Sequence, residues 1–287
     1  MDLYSNLKQG EKGARLSIIT YLVLSTVKLT IGITGNSEAL RADGLNNTTD
    51  IIASIAVLIG LRISQRPPDA NHQYGHLRAE TIASLVASFI MLLVGLEVLS
   101  SAIQNMWQGN TTTPSSLTAY VALISGGIMY LVYRHNLALA TRINSAAVKA
   151  AAMDNRSDAL VSLGAAVGII AAILGFPIID SITAVLVAAI IIKTAIEIFW
   201  DAVKALTDAF EIKDVAELTA LIAEVEGVCS VKNIRGRTHG NMYFIDVTIT
   251  VATHLNVVES HHITEQIEQH VQTKYVYSHV HVHIEPE

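Results

Sequence analysis

Three aspartates and an asparagine, set in two apolar stretches, have the types and spacing of a cation site. Asp154 and Asp158 stand four residues apart in Met153-Asp154-Asn155-Arg156-Ser157-Asp158, and Asn46 and Asp50 repeat that interval. On a helix this interval places both side chains on one face, with Cβ atoms about 5–6 Å apart. Four oxygen-bearing groups from two helices can enclose one divalent cation. Three carboxylates around such an ion leave a charge of about −1, against about −3 without it. The alternative is a hydrogen-bonded contact between helices. It accounts poorly for three acids in a low-dielectric region, where each charge is unfavourable by about 2.5–3.5 kcal/mol on insertion scales. Arg156 lies two residues from each aspartate and therefore off their shared face. The set has no thiolate or imidazole, and hard oxygen ligands suit Mn²⁺, Mg²⁺ or Fe²⁺ better than Zn²⁺.

The elements that position these groups are membrane spans. Of the 287 residues 51% are hydrophobic and only 15% charged, and the charges fall mostly outside long apolar segments. That composition belongs to polytopic membrane proteins. A span takes about 20 mainly apolar residues. Six candidates run from Arg15 to Gly35, Ala39 to Ile63, Ala79 to Ile103, Leu117 to Tyr133, Ala146 to Leu174 and Ile178 to Trp200. Lys and Arg gather before the first span, in the second and fourth loops and after the sixth. Gln104 to Thr118 and Gly175 to Asp180 have neither. The positive-inside rule then places both termini in the cytoplasm. Lys28, Glu97, Lys193 and Glu197 fall within or near the spans and read as snorkelling or interhelix pairing.

The net charge of −6 reflects acids after residue 200, and no basic patch with interleaved aromatics points to nucleic acid. The single cysteine, Cys229, excludes an internal disulfide and a cysteine metal cage. Met1 to Glu11 lacks the order of a cleavable signal peptide.

After Trp200 the pattern becomes that of a soluble α+β unit. Asp214 to Glu226 and Val257 to Val271 have helical spacing. Val228 to Arg237 and Met242 to Val251 read as strands joined by a turn around His239-Gly240-Asn241. Tyr275 to Ile284 is a last strand, alternating Val280, Val282 and Ile284 with His279, His281 and His283. The order αββαβ predicts a small sheet with helices on one face. A unit of this size buries only a modest core, which favours oligomerisation. One further cluster stands in the second loop, where Asp69, His72 and His76 have ligand spacing. By spacing alone, a metal site and a solvated loop are equal readings.

Taken together, the chain resembles the cation diffusion facilitators, a family of divalent-metal/proton antiporters. The likeness covers nearly the whole length. It rests on six spans, the paired tetrads on the second and fifth, the loop Pro-Pro-Asp-Ala-Asn-His-Gln-Tyr-Gly-His-Leu-Arg-Ala-Glu, and a tail ending His-Val-His-Ile-Glu-Pro. The resemblance implies a six-helix transmembrane domain over residues 1–204 and a ferredoxin-like cytoplasmic domain over residues 205–287. It implies a homodimeric secondary transporter in the cell membrane, not an enzyme. Such a protein binds metal at Asn46, Asp50, Asp154 and Asp158 and exports it from the cytoplasm by proton-driven alternating access. Zinc-type relatives carry His or Asp where Asn46 stands and His where Asp154 stands, so the combination here resembles the manganese-type branch. Without that histidine the coupling proton is left to an aspartate.

The same resemblance makes Asp69, His72 and His76 a loop metal site and aligns Arg78 and Asp208 with a charge pair that holds the dimer together. It matches His261, His283 and Glu285 to metal-binding positions of the tail domain. Lys232 and Thr248 stand where zinc-type relatives have histidines, and Asp246 is the available substitute. One weak regulatory site per subunit, or one shared across the dimer, is expected there. The nearest alternative is the same transporter carrying Zn²⁺, Fe²⁺ or Cd²⁺. A rival of another class is a membrane-bound metal sensor without flux.

Overall fold

A computed structural model describes residues 3–35, 37–108, 115–176, 178–210, 212–240 and 242–287. The expected connection between the third and fourth spans falls partly on residues 109–114, and the expected turns include Pro177 and Asn241; these lie outside the described residues. The chain divides into two compact units, Met1–Ala202 and Val203–Glu287.

Among the described residues, six long helices make up the first unit and its junction: α1 (Leu3–Thr34), α2 (Glu38–Ser64), α3 (Arg78–Gln108), α4 (Ser116–Ile143), α5 (Ala146–Ile173) and α6 (Ile178–Leu206). Among the described residues, α1 to α5 each contain a stretch long and apolar enough to cross a membrane. The expected sixth span is present as α6, of similar length. Apolar side chains such as Ile19, Leu22, Leu93 and Leu131 point outward, while Ser17, Ser25, Lys28, Asp50 and Asn136 are buried. That inversion is the signature of a bundle solvated by lipid, where polar groups must be satisfied inside.

Close packing brings the site-bearing helices together. A Cβ on Gly44 would stand 3.0 Å from Leu29, so the glycine lets α1 lie tightly against α2. Between α4 and α5, a Cβ on Gly126 would meet Leu163 at 2.8 Å. Asn144 ends α4 in the left-handed conformation (φ 49°), and Ser145 caps α5 by accepting from the Val148 N–H. Buried Glu80 of α3 also accepts from the Ser145 hydroxyl and from the Ala147 N–H (3.2 Å). A carboxylate there satisfies free N–H groups at the positive end of α5. It sets where α5 begins, and so the height of Asp154 and Asp158.

The second unit comprises α7 (Ile212–Ala223), β1 (Ser230–His239), β2 (Met242–Val251), α8 (Val257–Lys274) and β3 (Ser278–Pro286). The sheet order is β1-β2-β3, with β1/β2 antiparallel and β2/β3 parallel. Gly240 makes the hairpin turn at φ 59°, and a capping box of Asn256 with Glu259 starts α8. The two helices pack on one face of the sheet, as in a ferredoxin-like fold. Leu218 and Ile222 of α7 and Ile267 and Val271 of α8 close over Ile245, Ile249 and Val280. The outward alternation of β3 leaves His279, His281 and His283 exposed. Ile267 is fully buried. Ile267→Ala is expected to destabilise this unit by about 2–5 kcal/mol. Faster hydrogen exchange in α8 of the full-length protein would register the loss.

Candidate metal centre

The stripe Asn46/Asp50 of α2 meets the stripe Asp154/Asp158 of α5. One carboxylate oxygen each from Asp50, Asp154 and Asp158 lies within 4.8 Å of the others, and all three residues are buried. Oxygens that close together can share one hard cation bound at about 2.0–2.6 Å from each. The Asn46 amide donates to Asp50 Oδ2 at 3.1 Å and to Asp158 Oδ1 at 3.2 Å, bridging the helices. Arg156 is exposed and does not face the cluster.

The first helix adds residues that the spacing argument did not find. Tyr21 of α1 is fully buried, and its hydroxyl contacts both α5 aspartates, at 3.2 Å from Asp154 Oδ2 and in a short bond to Asp158 Oδ2. Asn155 donates to the Tyr21 oxygen at 2.8 Å. Asn155 in turn accepts from Asn136 of α4 (2.9 Å) and Ser17 of α1 (3.0 Å). Lys28 forms a buried ion pair with Asp43 at 2.9 Å, so its reading as an interhelix partner holds and snorkelling does not. The one available signal was a stripe on α1 at helical intervals, Ser17, Tyr21, Ser25 and Lys28. Glu97 is exposed, and Lys193 with Glu197 forms an exposed pair at 3.7 Å.

The loop cluster also comes together. Asp69, His72 and His76 offer ligand atoms within 4.8 Å of one another, more exposed than the buried aspartates. Asp69 Oδ1 accepts from the His72 N–H (2.8 Å) and the Asn71 N–H (2.9 Å). These bonds hold its carboxyl below the usual range, His72 contributing most. The two imidazole rings are 4.1 Å apart, and Asp69 Oδ2 is 3.6 Å from His76 Nε2.

The tail residues are not gathered in the same way. Asp246 pairs with Arg237 (3.5 Å), His261 with Glu265 (3.6 Å), and His283 with Glu285 (3.9 Å). Strand register sets Thr248 beside His283 and Asp246 beside His281. Among the described residues, no three acidic or histidine ligands of this unit converge within one chain. Arg78 opens α3, and Asp208 follows α6 at φ 58°; each has interactions of its own.

A lipid-facing helix bundle with a buried oxygen cluster, joined to a small α+β unit, defines a class: a polytopic membrane protein with a candidate cation site in its core. Residues 14–207 match the cation efflux transmembrane domain, and residues 211–287 match the cytoplasmic domain of cation efflux proteins, the dimerisation module. The chain is 49% identical to the manganese efflux system protein MneS of Bacillus subtilis over 286 residues, 100% of this chain and 99% of that one. It is 49% identical to the transporter YdbO of the same organism, covering 100% and 99%. A second manganese efflux protein of that organism, MneP, is 30% identical over 93% of this chain and 92% of its own. The chain belongs to the cation efflux, or cation diffusion facilitator, family. It is a multi-pass metal-exporting membrane transporter and not an enzyme.

Proposed function

We propose that this transporter exports Mn²⁺ in exchange for protons, with the ion bound by Asn46, Asp50, Asp154 and Asp158. The observation that carries the reading is the ligand chemistry: three buried carboxylates and an amide, with no nitrogen or sulfur donor. That set favours a hard dication over Zn²⁺. Two relatives named for manganese efflux support the same metal. A cation between the carboxylates would repel the Asn46 NH₂ and attract its carbonyl oxygen. Half a turn of the amide therefore converts a hydrogen-bond donor into the fourth ligand. Because carboxylates bind metal only when ionised, loading displaces protons, which supplies the exchange. Alternating exposure of the cluster to the two sides completes the cycle, with both termini cytoplasmic by the positive-inside rule.

Under this reading the tail domain, residues 205–287, holds two chains together, and the charge pair Arg78/Asp208 braces that dimer. The loop residues Asp69, His72 and His76 hold a second, more exposed metal. The tail residues His261, His283, Glu285 and Asp246 form a regulatory site. Since they pair separately within one chain, it is completed across the dimer.

The deciding experiment compares Mn²⁺, Fe²⁺, Zn²⁺ and Cd²⁺ transport in proteoliposomes with an imposed pH gradient. Mn²⁺ flux that collapses with the gradient supports the proposal. Preference for Zn²⁺ or Cd²⁺ would overturn the metal, and metal binding without flux would favour a sensor. A second measurement concerns Tyr21. Tyr21→Phe keeps the ring's packing but takes the donor from both α5 aspartates and the acceptor from Asn155. Groups that orient metal ligands contribute about 10–100-fold to affinity or activity. Mn²⁺ uptake by this variant is expected to fall by that factor while the protein remains folded.

A further inference from the structure

Toward the α1–α2 connection, the bundle holds a buried ion pair. Lys28 of α1 is fully buried. Its ammonium donates to Asn47 Oδ1 at 2.6 Å and Ser162 Oγ at 2.9 Å and pairs with Asp43 at 2.9 Å. One side chain of α1 thus ties α2 to α5, one helical turn beyond the aspartates on each. A further turn outward, buried Leu40 packs with Ala119, Ala122, Ala166 and Ile169. The pair stands between the aspartate cluster and this end of the bundle.

A buried ion pair is a poor stabiliser compared with apolar residues of the same volume, because both charges lose their water. It is well suited to holding two arrangements apart. Asn47 connects it to the cluster. Lysine only donates, so the amide oxygen of Asn47 faces Lys28 and the amide nitrogen faces Asp50, 3.3 Å from Oδ2. A cation that takes the lone pairs of Asp50 deprives Asn47 of its acceptor and frees the amide to turn. The lock then loses one of its three struts.

We propose that the Lys28–Asp43 pair is a cation-responsive lock. It closes the path between the aspartate cluster and the α1–α2 connection, and loading of the cluster loosens it through Asn47. The proposal rests on the assignment of the cluster as the metal site.

The test uses full-length protein in proteoliposomes. Cys229→Ser removes the only native thiol. Ser25→Cys adds a near-isosteric reporter at a buried position, where the hydroxyl bonds Gly44 O (3.0 Å) and Thr48 (2.8 Å). A membrane-impermeant maleimide is applied to the face that carries the α1–α2 connection. With Lys28 intact, labelling is expected to be slow and to speed up about tenfold or more in saturating Mn²⁺, within the usual range of coupling between sites. In Lys28→Gln, and in Lys28→Gln with Asp43→Asn, it should be fast with or without the metal. The double variant removes both charges at once and leaves no uncompensated buried ion. Slow labelling in the double variant would overturn the lock, as would labelling of the Lys28 protein that ignores bound Mn²⁺. Calorimetric Mn²⁺ binding by the reporter protein in detergent tests the underlying site separately. Should that binding be absent, the site reading fails, while labelling of the double variant still decides whether the pair closes the path.

Discussion

Asp158→Ala is expected to abolish transport, with a fall beyond the roughly 100-fold upper range seen for groups that only orient metal ligands. Asp158 is the residue on which the cluster converges, since it accepts from Asn46 across the helix interface and from Tyr21 of α1. On the proposed site, losing it removes one of the three carboxylates and leaves too few to hold a dication against water. Folding should survive, because one buried negative charge disappears and the mutual repulsion of the acids is relieved. The two effects separate in a thermal unfolding experiment. A ligand that binds only the folded state stabilises it by about 2.7 kcal/mol at 100 times its Kd. The unaltered protein should therefore melt at higher temperature in Mn²⁺, and the variant should melt cooperatively at a temperature that ignores the metal. Asp50→Ala should behave alike. Retained Mn²⁺ uptake by vesicles containing either variant would show that the cluster is not the transport site.

A second large effect is expected in metal preference. Asn46→Asp with Asp154→His exchanges an amide for a carboxylate and a carboxylate for an imidazole. The charge of the set is unchanged, since one acid is gained and one is lost. What changes is ligand character: a nitrogen donor enters a site that had none, and zinc favours nitrogen over purely oxygen surroundings. The ratio of Zn²⁺ to Mn²⁺ transport should rise by about tenfold or more, comparable to other changes in metal-ligand environment. Because Asp154 is also held by the Tyr21 hydroxyl, the histidine at that place gains a hydrogen-bonding neighbour that fixes its ring. An unaltered metal profile in the double variant would mean that selectivity is set elsewhere in the bundle.

Several features could be read from residue order because their physics is local. Spans announce themselves by hydropathy, and two acids four apart in an apolar helix lie on one face whatever surrounds them. The tail strands were also legible, since Val280, Val282 and Ile284 alternate with three histidines. The helix ends were not. α1 begins at Leu3 rather than near Arg15, and α4 runs on to Ile143 beyond Tyr133. Hydropathy marks contact with lipid, whereas a helix continues into water until a cap or turn stops it. Asn136 was silent for another reason: a single asparagine in an apolar run has no partner in its own helix. The α1 stripe of Ser17, Tyr21, Ser25 and Lys28 marks a polar face, and only packing reveals whose lone pairs it meets.

The chain by itself determined a lipid-solvated bundle carrying paired oxygen-bearing side chains on one face of each of two helices, because composition and helical periodicity act over one or two turns. The tertiary structure decided the rest. It brought Asp50 to within reach of Asp154 and Asp158, ran the Tyr21 hydroxyl between the α5 acids, and put Lys28 across α2 and α5. It also kept His261, His283 and Asp246 in separate pairs within one chain. In the bundle these outcomes depend on how the helices pack, with Tyr21, Asn46 and Lys28 each reaching a residue of α5 more than a hundred positions away.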